Sequence, residues 1–427
     1  DYKSLKYEKE EILCEHKARK AEAKPRILIL AAANINTCPR PMRMIEVLKD
    51  DYDVSVMGID NENGTPMPPV VVQNGGGGSY NLKSFSYPTY KKRNVWGELK
   101  LWINVALRRW DKLSFIPNRL AIIEHLCKES YDVVICHDLL LLPVLFAGLE
   151  KSGHKCGKKS DTKVIFDARE FYPLQNTSSL RWRLLFKRFN TYLCTYFASQ
   201  ADLLLSVSPR FCELYKEHFG LQVHLLMSLP TYYPLEPTPI NAHKIKILYH
   251  GALNRNRDID KVIEMCQYLD ERFCIDFIFT GGENAFREKI QSRIAQLQEQ
   301  GKAVRILPPV KLEQIVPFGN NYDIGLLYIP LHNHNLLATL PNKFFEYIQS
   351  RLAVLIPPIE QLQGFGDKYN NIIVAKDFAI KSLADSLNVL SSEEIMALKI
   401  RSHRAAKELN LTYNAPFVRK MVRELLS

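Results

Sequence analysis

Short apolar segments that end in polar residues recur along the chain and alternate with helical patterns. The first half contains "PRILILAAA", "YDVSVMGID", "YDVVICHD", "KVIFDARE" and "ADLLLSVSP", and the second contains "KIKILYHGAL", "CIDFIFTGG", "VRILPPV" and "YDIGLLYIP". A strand–helix–strand series of this kind predicts a parallel sheet with right-handed crossovers. We therefore predict an α/β protein whose ligands lie at the carboxyl ends of the strands.

A proline-rich stretch divides this series into two halves of similar size. It reads "MSLPTYYPLEPTPINAHK", and its proline content is typical of an interdomain linker. A chain of 427 residues is also too long for one ordinary hydrophobic core. The predicted units are a charged helical lead-in (1–24), an N-terminal α/β domain (25–230), a linker (231–243), a C-terminal α/β domain (244–410) and a C-terminal helix that could run back to the first domain (411–427).

The run "NGGGGSY" at residues 74–80 resembles a linker introduced in place of a disordered loop. We predict that residues 60–85 form a flexible loop. No functional residue is predicted within this segment.

The sequence favours an acidic partner in a reducing compartment. The formal net charge is +11, which suits nucleic acid, anionic lipid head groups or phosphorylated small molecules. No nucleic-acid-binding motif is present, so we expect no nucleic-acid partner. The nine cysteines are scattered without a Cys-x-x-Cys pair, which indicates neither disulfides nor a zinc site.

No segment of the sequence has the pattern of a secretory signal or a membrane span. The N-terminus is charged throughout, unlike a secretory signal. The longest apolar run, residues 139–149, is too short to cross a bilayer. We expect a cytoplasmic protein that can lie at the inner face of a membrane.

The stretch "LPNKFFEYIQSRLAVLIPP", residues 340–358, predicts a helix followed by a buried strand. Pro341 suits a helix start because its missing N–H is not needed there. Asn342, Lys343 and Glu346 follow, and a helix N-terminus presents free N–H groups to anions. We predict that Glu346 accepts hydrogen bonds from ribose hydroxyls while Lys343 or the helix N–H groups face phosphate. The alternative is a surface helix with a solvated glutamate.

Two other strands of the second half end in residues that suit a phosphate group. Gly251 lets the backbone approach a ligand closely, and Arg255 and Arg257 follow it in positions where they could clamp a diphosphate. Gly281 and Gly282 close another strand at the same predicted sheet edge. The alternative is a pair of glycine turns with solvated arginines.

Polar residues follow four strands of the first half in the same way. Because carboxyl ends of parallel strands meet at one sheet edge, we expect these side chains to share a site. We predict a catalytic group formed by His137, Asp138, Arg169 and Glu170. We also predict an acceptor-side group formed by Arg40, Arg43 and Ser208.

Several of these blocks together carry a resemblance to a known family. They are "HGALNRNRD", "YDIGLLYIP", "LPNKFFEYIQSRLAVLIPP", "YDVVICHDLLLLP", "FDARE" and "LLLSVSPR". The sequence resembles the glycosyltransferase family 4 group of nucleotide-sugar-dependent enzymes, in the family's order, from about Arg26 to the C-terminal helix. The Pro-Asn-Lys-x-x-Glu-Tyr block is the most specific part. The resemblance implies a GT-B fold, in which two Rossmann-like, doubly wound domains face each other across a cleft.

The resemblance also implies roles for individual residues. Glu346 would hold the donor ribose, Arg257 and the turn at 341–343 would hold the diphosphate, and His137 would sit beside the transferred sugar. The acceptor would lie on the N-terminal domain, and the sugar would be transferred with retention at the anomeric carbon.

The sequence departs from the family pattern at three positions. Ala338 stands where a second glutamate often faces the sugar, eight residues before Glu346. Arg169 stands where the family more often has histidine, and Asp258 stands where it usually has glycine after the phosphate-facing arginine. The first departure puts recognition of the sugar in doubt.

The resulting expectation is a retaining glycosyltransferase of the hexosyltransferase type that moves a sugar from a nucleotide diphosphate sugar to a glycan or lipid-linked glycan. We expect it to act in cell-surface polysaccharide or glycoconjugate synthesis. The segment 258–260 reads Asp-Ile-Asp, but aspartate is common where a helix begins, so we predict no metal and no other cofactor. The alternatives are a non-hydrolysing nucleotide-sugar epimerase and a catalytically inactive glycan-binding or scaffold subunit.

Two basic, aromatic stretches of the first half have helical patterns that the catalytic expectation does not use. They are "YKKRNVWGELKLWINVALRRWDK" and "SSLRWRLLFKRFNTYLCTYF". We predict that at least one of them rests on an anionic membrane surface or guides an anionic acceptor. The alternative is a pair of core helices with a solvated basic face.

Overall fold

The computed structural model describes residues 24–73, 78–90, 93–155, 161–332 and 334–427. The predicted helical lead-in lies outside these ranges, except for its last residue. Within them the chain forms two parallel sheets that are both covered by helices.

The first sheet is built from residues 26–225. Its half of the chain contains the strands β1 (Arg26–Leu30), β2 (Asp53–Ile59), β3 (Val71–Gln73), β4 (Ser79–Asn81), β5 (Lys83–Tyr87), β6 (Val133–Cys136), β7 (Lys163–Ala168), β8 (Leu203–Ser206) and β9 (His224–Leu225). Seven of them form a parallel sheet in the order β5-β2-β1-β6-β7-β8-β9, whereas β3 and β4 form a separate antiparallel pair. In β1, an interior strand, Ile27 lies between Val54 of β2 and Val133 of β6.

Helices connect these strands because parallel neighbours cannot be joined by a tight turn. They are α1 (Pro39–Leu48), α2 (Val95–Ala106), α3 (Trp110–Ser114), α4 (Pro117–Leu126), α5 (Leu142–Lys155), α6 (Leu180–Leu185), α7 (Lys187–Tyr196) and α8 (Pro209–Phe219). Helix α8 shows how local sequence sets the ends. The Ser208 side chain accepts a hydrogen bond from the Phe211 N–H at its start, and Gly220 ends it in the left-handed conformation. Short 3-10 helices lie at Ile35–Thr37, Leu139–Leu141, Tyr172–Leu174 and Ala198–Gln200.

The second sheet is built from residues 245–374. Its strands are β10 (Ile245–Ala252), β11 (Phe273–Thr280), β12 (Val304–Leu307), β13 (Ile324–Leu326), β14 (Ala353–Ile356) and β15 (Ile372–Val374). They are parallel and run in the order β12-β11-β10-β13-β14-β15.

The second half also alternates strands with helices. Its helices are α9 (Ile259–Val262), α10 (Asn284–Glu299), α11 (Ile315–Gly319), α12 (His334–Leu337), α13 (Asn342–Gln349), α14 (Glu360–Tyr369), α15 (Ile380–Asn388), α16 (Ser392–Glu408) and α17 (Leu411–Leu426). Its 3-10 helices lie at Arg255–Arg257, Ile263–Gln267 and Leu312–Gln314.

The predicted flexible loop at 60–85 is wrong for part of its length. Strands β3 and β4 and the beginning of β5 fall inside it. The physical reason is burial, since Val70, Val72 and Leu82 join the apolar cluster under the first sheet. The glycine run hid this pattern in the sequence, and residues 74–77 lie outside the described residues.

Each sheet buries apolar side chains on both of its faces. In β1, Leu28 and Leu30 join one cluster while Ile27 and Ile29 join the other, as the two-residue repeat of a strand requires. Sheets covered on both faces need nearly continuous apolar strands, which explains the runs seen in the sequence. The C-terminal helix α17 packs on the first sheet, where Val418 and Val422 are buried beside α1. The predicted domain boundaries stay a prediction.

Two buried cations of the second domain donate hydrogen bonds to the linker. Arg351 is fully buried and donates to the carbonyl oxygens of Tyr233 and Leu235. Lys399 is buried as well, and its Nζ donates to Thr238 Oγ1 at 3.0 Å and to Asp323 Oδ1 at 2.8 Å. The linker therefore follows a fixed path along the second domain.

Candidate functional site

The carboxyl end of β10 meets the start of α13 in the second domain. Gly251, the last residue but one of the strand, has φ 148°, and an added Cβ would lie 3.1 Å from Lys343 Nζ. The small residue therefore leaves room for the lysine side chain. Arg257 approaches the same point, with its Nη1 3.9 Å from that added Cβ. The structure thus brings together three of the predicted donor-binding residues.

Lys343 is buried without a hydrogen-bond partner. Only 8% of the residue is exposed, and its Nζ has no acceptor among the described residues. The Nζ lies 4.1 Å from the centre of the Tyr249 ring, a cation–π distance. Burial, and after it the charge of Arg257, lowers the pKa of Lys343 well below its usual value. A buried amine left unpaired in this way is suited to receive an anion.

Glu346 is buried in α13 and is contacted from the first domain. It is 6% exposed, so the alternative of a solvated surface glutamate is wrong. Its Oε1 lies 3.3 Å from Arg43 Nη2, and its Oε2 lies 3.7 Å from His250 Nε2. Burial raises the pKa of Glu346, while Arg43 and Lys343 oppose that rise. Burial also lowers the pKa of His250 to about 3, so this histidine is neutral beside the carboxylate.

Helix α13 begins one residue later than the sequence indicated, with Pro341 as the residue before its first turn. No side chain caps the helix, and Arg43 Nη1 donates to Asn342 Oδ1 at 3.0 Å. Backbone N–H groups of a first turn carry a partial positive charge when they are uncapped. The helix N-terminus and Lys343 therefore add to the same positive field.

The other predicted donor residues lie around this point, but not all of them face it. Gly281 and Gly282 both have positive φ, and an added Cβ at Gly282 would lie 2.8 Å from Leu253. Arg255 instead lies over the Phe286 ring at 4.5 Å, and its Nη2 lies 3.5 Å from Glu283. Arg255 thus packs on α10 in this structure, and its phosphate role stays a prediction.

The Asp-x-Asp segment is engaged with lysines. Lys261 Nζ donates to Asp258 Oδ2 at 2.8 Å, and Lys289 Nζ donates to Asp260 Oδ2 at 3.0 Å. Each carboxylate thus has a cationic partner of its own.

Asp167 organises the facing edge of the first sheet. It is fully buried, and it accepts hydrogen bonds from Arg40 Nε and Nη2 at 2.7 and 2.6 Å. His137 Nδ1 lies 2.8 Å from Asp167 Oδ2, which leaves Nε2 without a partner among the described residues. Burial alone would raise the pKa of Asp167, but Arg40 and His137 hold it well below its usual value.

Arg40 is used entirely inside the first domain. Its third contact is from Nη1 to the Leu226 carbonyl oxygen at 2.6 Å. Arg40 therefore holds Asp167 in place, and its acceptor-side role stays a prediction.

The other residues of the first domain line the cleft between the sheets. Asp138 accepts hydrogen bonds from Arg169 Nη2 at 2.6 Å and from the Ala32 N–H at 2.7 Å. Arg169 Nε also donates to the His137 carbonyl oxygen at 3.2 Å. The three side chains therefore form one group at the carboxyl ends of β6 and β7.

Contacts other than those of Arg43 with Asn342 and Glu346 also cross the cleft. Asn335 Nδ2 donates to Glu170 Oε2 at 3.1 Å, and burial raises the pKa of Glu170. Ser208 Oγ donates to the Ala338 carbonyl oxygen at 2.6 Å. Asn256 Nδ2 donates to Asn176 Oδ1 at 3.3 Å. The predicted residues of both domains thus line one cleft.

Sequence reasoning missed Asp167, Tyr249 and Asn335. Asp167 had a signal, because it is an acidic residue inside an otherwise apolar strand and such a residue needs a buried partner. Tyr249 and Asn335 had none, since each contributes only through residues that are distant in the sequence.

Comparisons with known proteins find matches by structure but not by sequence. No protein-family model and no curated protein sequence matches this chain. Sucrose-phosphate synthase from Thermosynechococcus elongatus superposes with a TM-score of 0.67, at 12% identity, over 94% of this chain and 99% of that one. Anabaena HepE, in complex with UDP and glucose, superposes with a TM-score of 0.64, at 11% identity, over 94% of this chain and 100% of that one. A UDP-forming α,α-trehalose-phosphate synthase from Burkholderia vietnamiensis superposes with a TM-score of 0.61, at 12% identity, over 92% of this chain and 96% of that one.

These proteins are GT-B enzymes, and their likeness extends over both sheets of this chain. The chain has the GT-B fold. The predicted α/β class and the architecture that the resemblance implied are both confirmed. At this level of identity the likeness carries the fold alone.

We predict that Asp167→Asn strongly destabilises the first domain. The change leaves the buried guanidinium of Arg40 without its charge partner, which typically costs about 3–5 kcal/mol. Urea unfolding measures the loss, and the exposed Asp161→Asn is the matched control. Because the folded-state pKa of Asp167 is depressed, the wild-type advantage is complete above the unfolded pKa of about 3.9. It declines as the pH falls towards the folded pKa. Equal stabilities of wild type and Asp167→Asn at neutral pH would contradict the buried ion pair.

Proposed function

We propose that this protein is a metal-independent, retaining glycosyltransferase. It transfers a sugar from a nucleoside diphosphate sugar to a hydroxyl group of a glycan or a lipid-linked glycan. The observation that carries the proposal is the buried, unpartnered Nζ of Lys343, which lies beneath Gly251 and near Arg257. A diphosphate supplies the negative charge that this arrangement lacks.

The chemistry follows from where charge develops during the reaction. As the bond between the sugar and the diphosphate breaks, negative charge builds on the departing phosphate oxygens. Lys343, Arg257 and the uncapped start of α13 are fixed around one point, so they stabilise that charge without reorganising. Lys343 carries a proton in this state and donates to the diphosphate, because the negative charge of the diphosphate offsets the cost of burying the ammonium group.

Glu346 is proposed to bind the ribose of the donor. Its carboxylate is buried, yet its two nearest polar contacts, at 3.3 and 3.7 Å, leave room for more hydrogen bonds. A carboxylate offers about four acceptor positions, so two ribose hydroxyls can bind while Arg43 remains paired. The HepE structure contains UDP and glucose, which supports a uridine nucleotide as the first donor to test.

The first domain is proposed to hold the transferred sugar and the acceptor. His137 Nε2 is a buried polar atom that has no hydrogen-bond partner in the part of the chain that the structure describes, and it is proposed to face a sugar hydroxyl while Asp167 fixes its ring. Asp138, Arg169 and Glu170 lie at the same sheet edge. Their acid or base roles stay predictions, as does retention through same-face attack. Surface polysaccharide or glycoconjugate synthesis on the cytoplasmic side of a membrane is the proposed setting.

A specific departure favours a second candidate, an inactive glycan-binding or scaffold subunit. Ala338 offers no carboxylate to the sugar, and its carbonyl oxygen is engaged by Ser208 across the cleft. A binding subunit would release no nucleotide in the presence of an acceptor. A non-hydrolysing epimerase shares the fold and would convert the donor without any acceptor.

The first experiment is a thermal-shift panel of UDP, GDP, CDP and CMP compounds, each with and without EDTA. A ligand that binds only the native state raises the melting temperature by mass action. We expect one nucleoside diphosphate to stabilise the protein equally in both conditions, which also identifies the base. Stabilisation only with added magnesium or manganese would refute the metal-free mechanism, and no response to any nucleotide would favour the scaffold.

We predict that Glu346→Gln weakens binding of that nucleotide. Loss of a charge-assisted hydrogen bond to ribose costs about 1.5–3 kcal/mol, or roughly ten- to a hundredfold in affinity. Isothermal titration calorimetry measures the change, with the exposed Glu299→Gln as the control. If the Glu346→Gln protein folds and binds the nucleotide with wild-type affinity, Glu346 contacts Arg43 but does not bind the ribose.

We predict that nucleotide binding takes up a proton at Lys343. Its pKa is depressed in the free protein, and a bound diphosphate raises it. The contribution of Lys343 to affinity is therefore complete below the free-protein pKa and is lost as the pH rises through the pKa of the complex. Calorimetry in buffers of different ionisation enthalpy measures the uptake. Lys343→Met should abolish it and the exposed Lys376→Met should not, whereas buffer-independent heats in the wild type would count against the idea.

A further inference from the structure

Helices α2 and α6 expose an apolar surface on the first domain. Val95 is 83% exposed, Trp96 71% and Leu180 62%. The remaining large exposed side chains of the two helices are Leu99, Trp102, Ile103 and Leu184, with Leu107 directly after α2. We call these eight residues the apolar patch. The helices are adjacent, and Arg181 of α6 donates to Glu98 of α2.

The residues of the apolar patch that belong to α2 lie on one face of that helix. Residues 95, 99, 102 and 103 recur at helical spacing on the exposed side, while Leu101 is buried in the core of the domain on the other side. The Asn94 side chain caps the helix by accepting from the Gly97 N–H at 2.9 Å. Monomeric proteins seldom expose contiguous apolar surface of this kind without a partner for it.

Basic residues surround the apolar patch. Residues 93–112 contain five lysines and arginines, and residues 180–188 contain four, against only two acidic residues, Glu98 and Asp111. The local excess of seven positive charges is the greater part of the chain's net +11. All four tryptophans of the chain also lie here, at positions 96, 102, 110 and 182.

We infer that the apolar patch docks on the surface of an anionic lipid bilayer. Tryptophans with leucine and valine on one side of a helix and cations around them are suited to the boundary between acyl chains and head groups. Lysine and arginine around these apolar side chains add attraction to anionic lipid, so the charge of this surface is complementary to an anionic bilayer. Among the described residues no helix is long and apolar enough to cross a membrane.

Docking at this place brings the bilayer close to the cleft. Helix α6 begins four residues after Asn176, whose Oδ1 accepts from Asn256 across the cleft. A lipid-linked acceptor would then reach the carboxyl ends of the first sheet from the membrane surface. This last step rests on the proposed function, whereas the docking does not.

The test is co-sedimentation of the full chain with vesicles. We expect a partition coefficient about tenfold higher on phosphatidylcholine containing about one third phosphatidylglycerol than on phosphatidylcholine alone. Because every tryptophan lies at or beside the apolar patch, a blue shift of the intrinsic fluorescence on anionic vesicles reports insertion directly. About 0.5 M salt should reduce binding to the anionic vesicles by screening the basic rim.

A matched pair of variants assigns the contact to the apolar patch. Val95→Glu should lower the partition coefficient about tenfold or more, whereas Val389→Glu, at an equally exposed valine of the second domain (79%), should leave it unchanged. Thermal melting and nucleotide binding of both variants check the fold and the donor site separately, so a failure of docking is distinct from a failure of the proposed function. Equal binding to neutral and anionic vesicles, no binding at all, or a dimer that shifts the fluorescence without lipid would overturn the inference.

Discussion

Two buried arginines on one helix connect the parts of this molecule. Arg40 and Arg43 lie three residues apart on α1, so both project from the same side of the helix. Arg40 is paired with Asp167 within the first domain, and Arg43 reaches Ser228 in front of the linker and Glu346 of the second domain. Buried charges are tolerated only when they are paired. The orientation of α1 on the first sheet therefore bears on where α13 lies across the cleft, and α17 packs against the same helix.

This pairing makes the unpaired group conspicuous. In the cleft, the carboxylates Asp138, Asp167 and Glu346 each have a cationic neighbour, and Arg40 and Arg43 are fully engaged. Lys343 is buried to the same degree and has no acceptor among the described residues. The Tyr249 ring face and the depressed pKa of Lys343 reduce the cost of burying this amine. The amine is therefore still able to pair with an anion that binds in the cleft. Among the described residues, the start of α13 therefore differs from Arg40, Arg43 and Arg169, because it offers a buried cation that has no acceptor.

Sequence patterns predicted the fold better than they predicted the site. The apolar strands are nearly continuous because both faces of each sheet are covered, and this pattern is local, so it predicted two parallel α/β halves. The GT-B architecture was implied by the resemblance of the sequence blocks to a known family. Burial of polar groups is not local. Glu346 has the spacing of a surface residue and becomes buried only because Arg43, about three hundred residues away, lies over it. Arg40 and Arg255 look alike as cations after strands, yet one is paired with Asp167 and the other packs on Phe286. The glycine run concealed β3 and β4, whose burial depends on contacts with the first sheet.

The excess of positive charge finds its explanation outside the cleft. A net charge of +11 suggested a phosphate-binding site, but most cations in the cleft are neutralised by the carboxylates that hold them. A surplus of basic residues lies instead in the segments that carry the apolar patch on α2 and α6. Glu98 is engaged there by Arg181 and Arg93, and Asp111 by Lys112. The remaining basic residues of these segments are exposed, namely Lys100, Arg108, Arg109, Arg183, Lys187 and Arg188. Long-range attraction to an anionic surface depends on this unpaired charge and is weakened by salt. The same chain therefore carries two distinct electrostatic arrangements, a balanced one that positions groups in the cleft and an unbalanced one that orients the first domain towards an anionic surface.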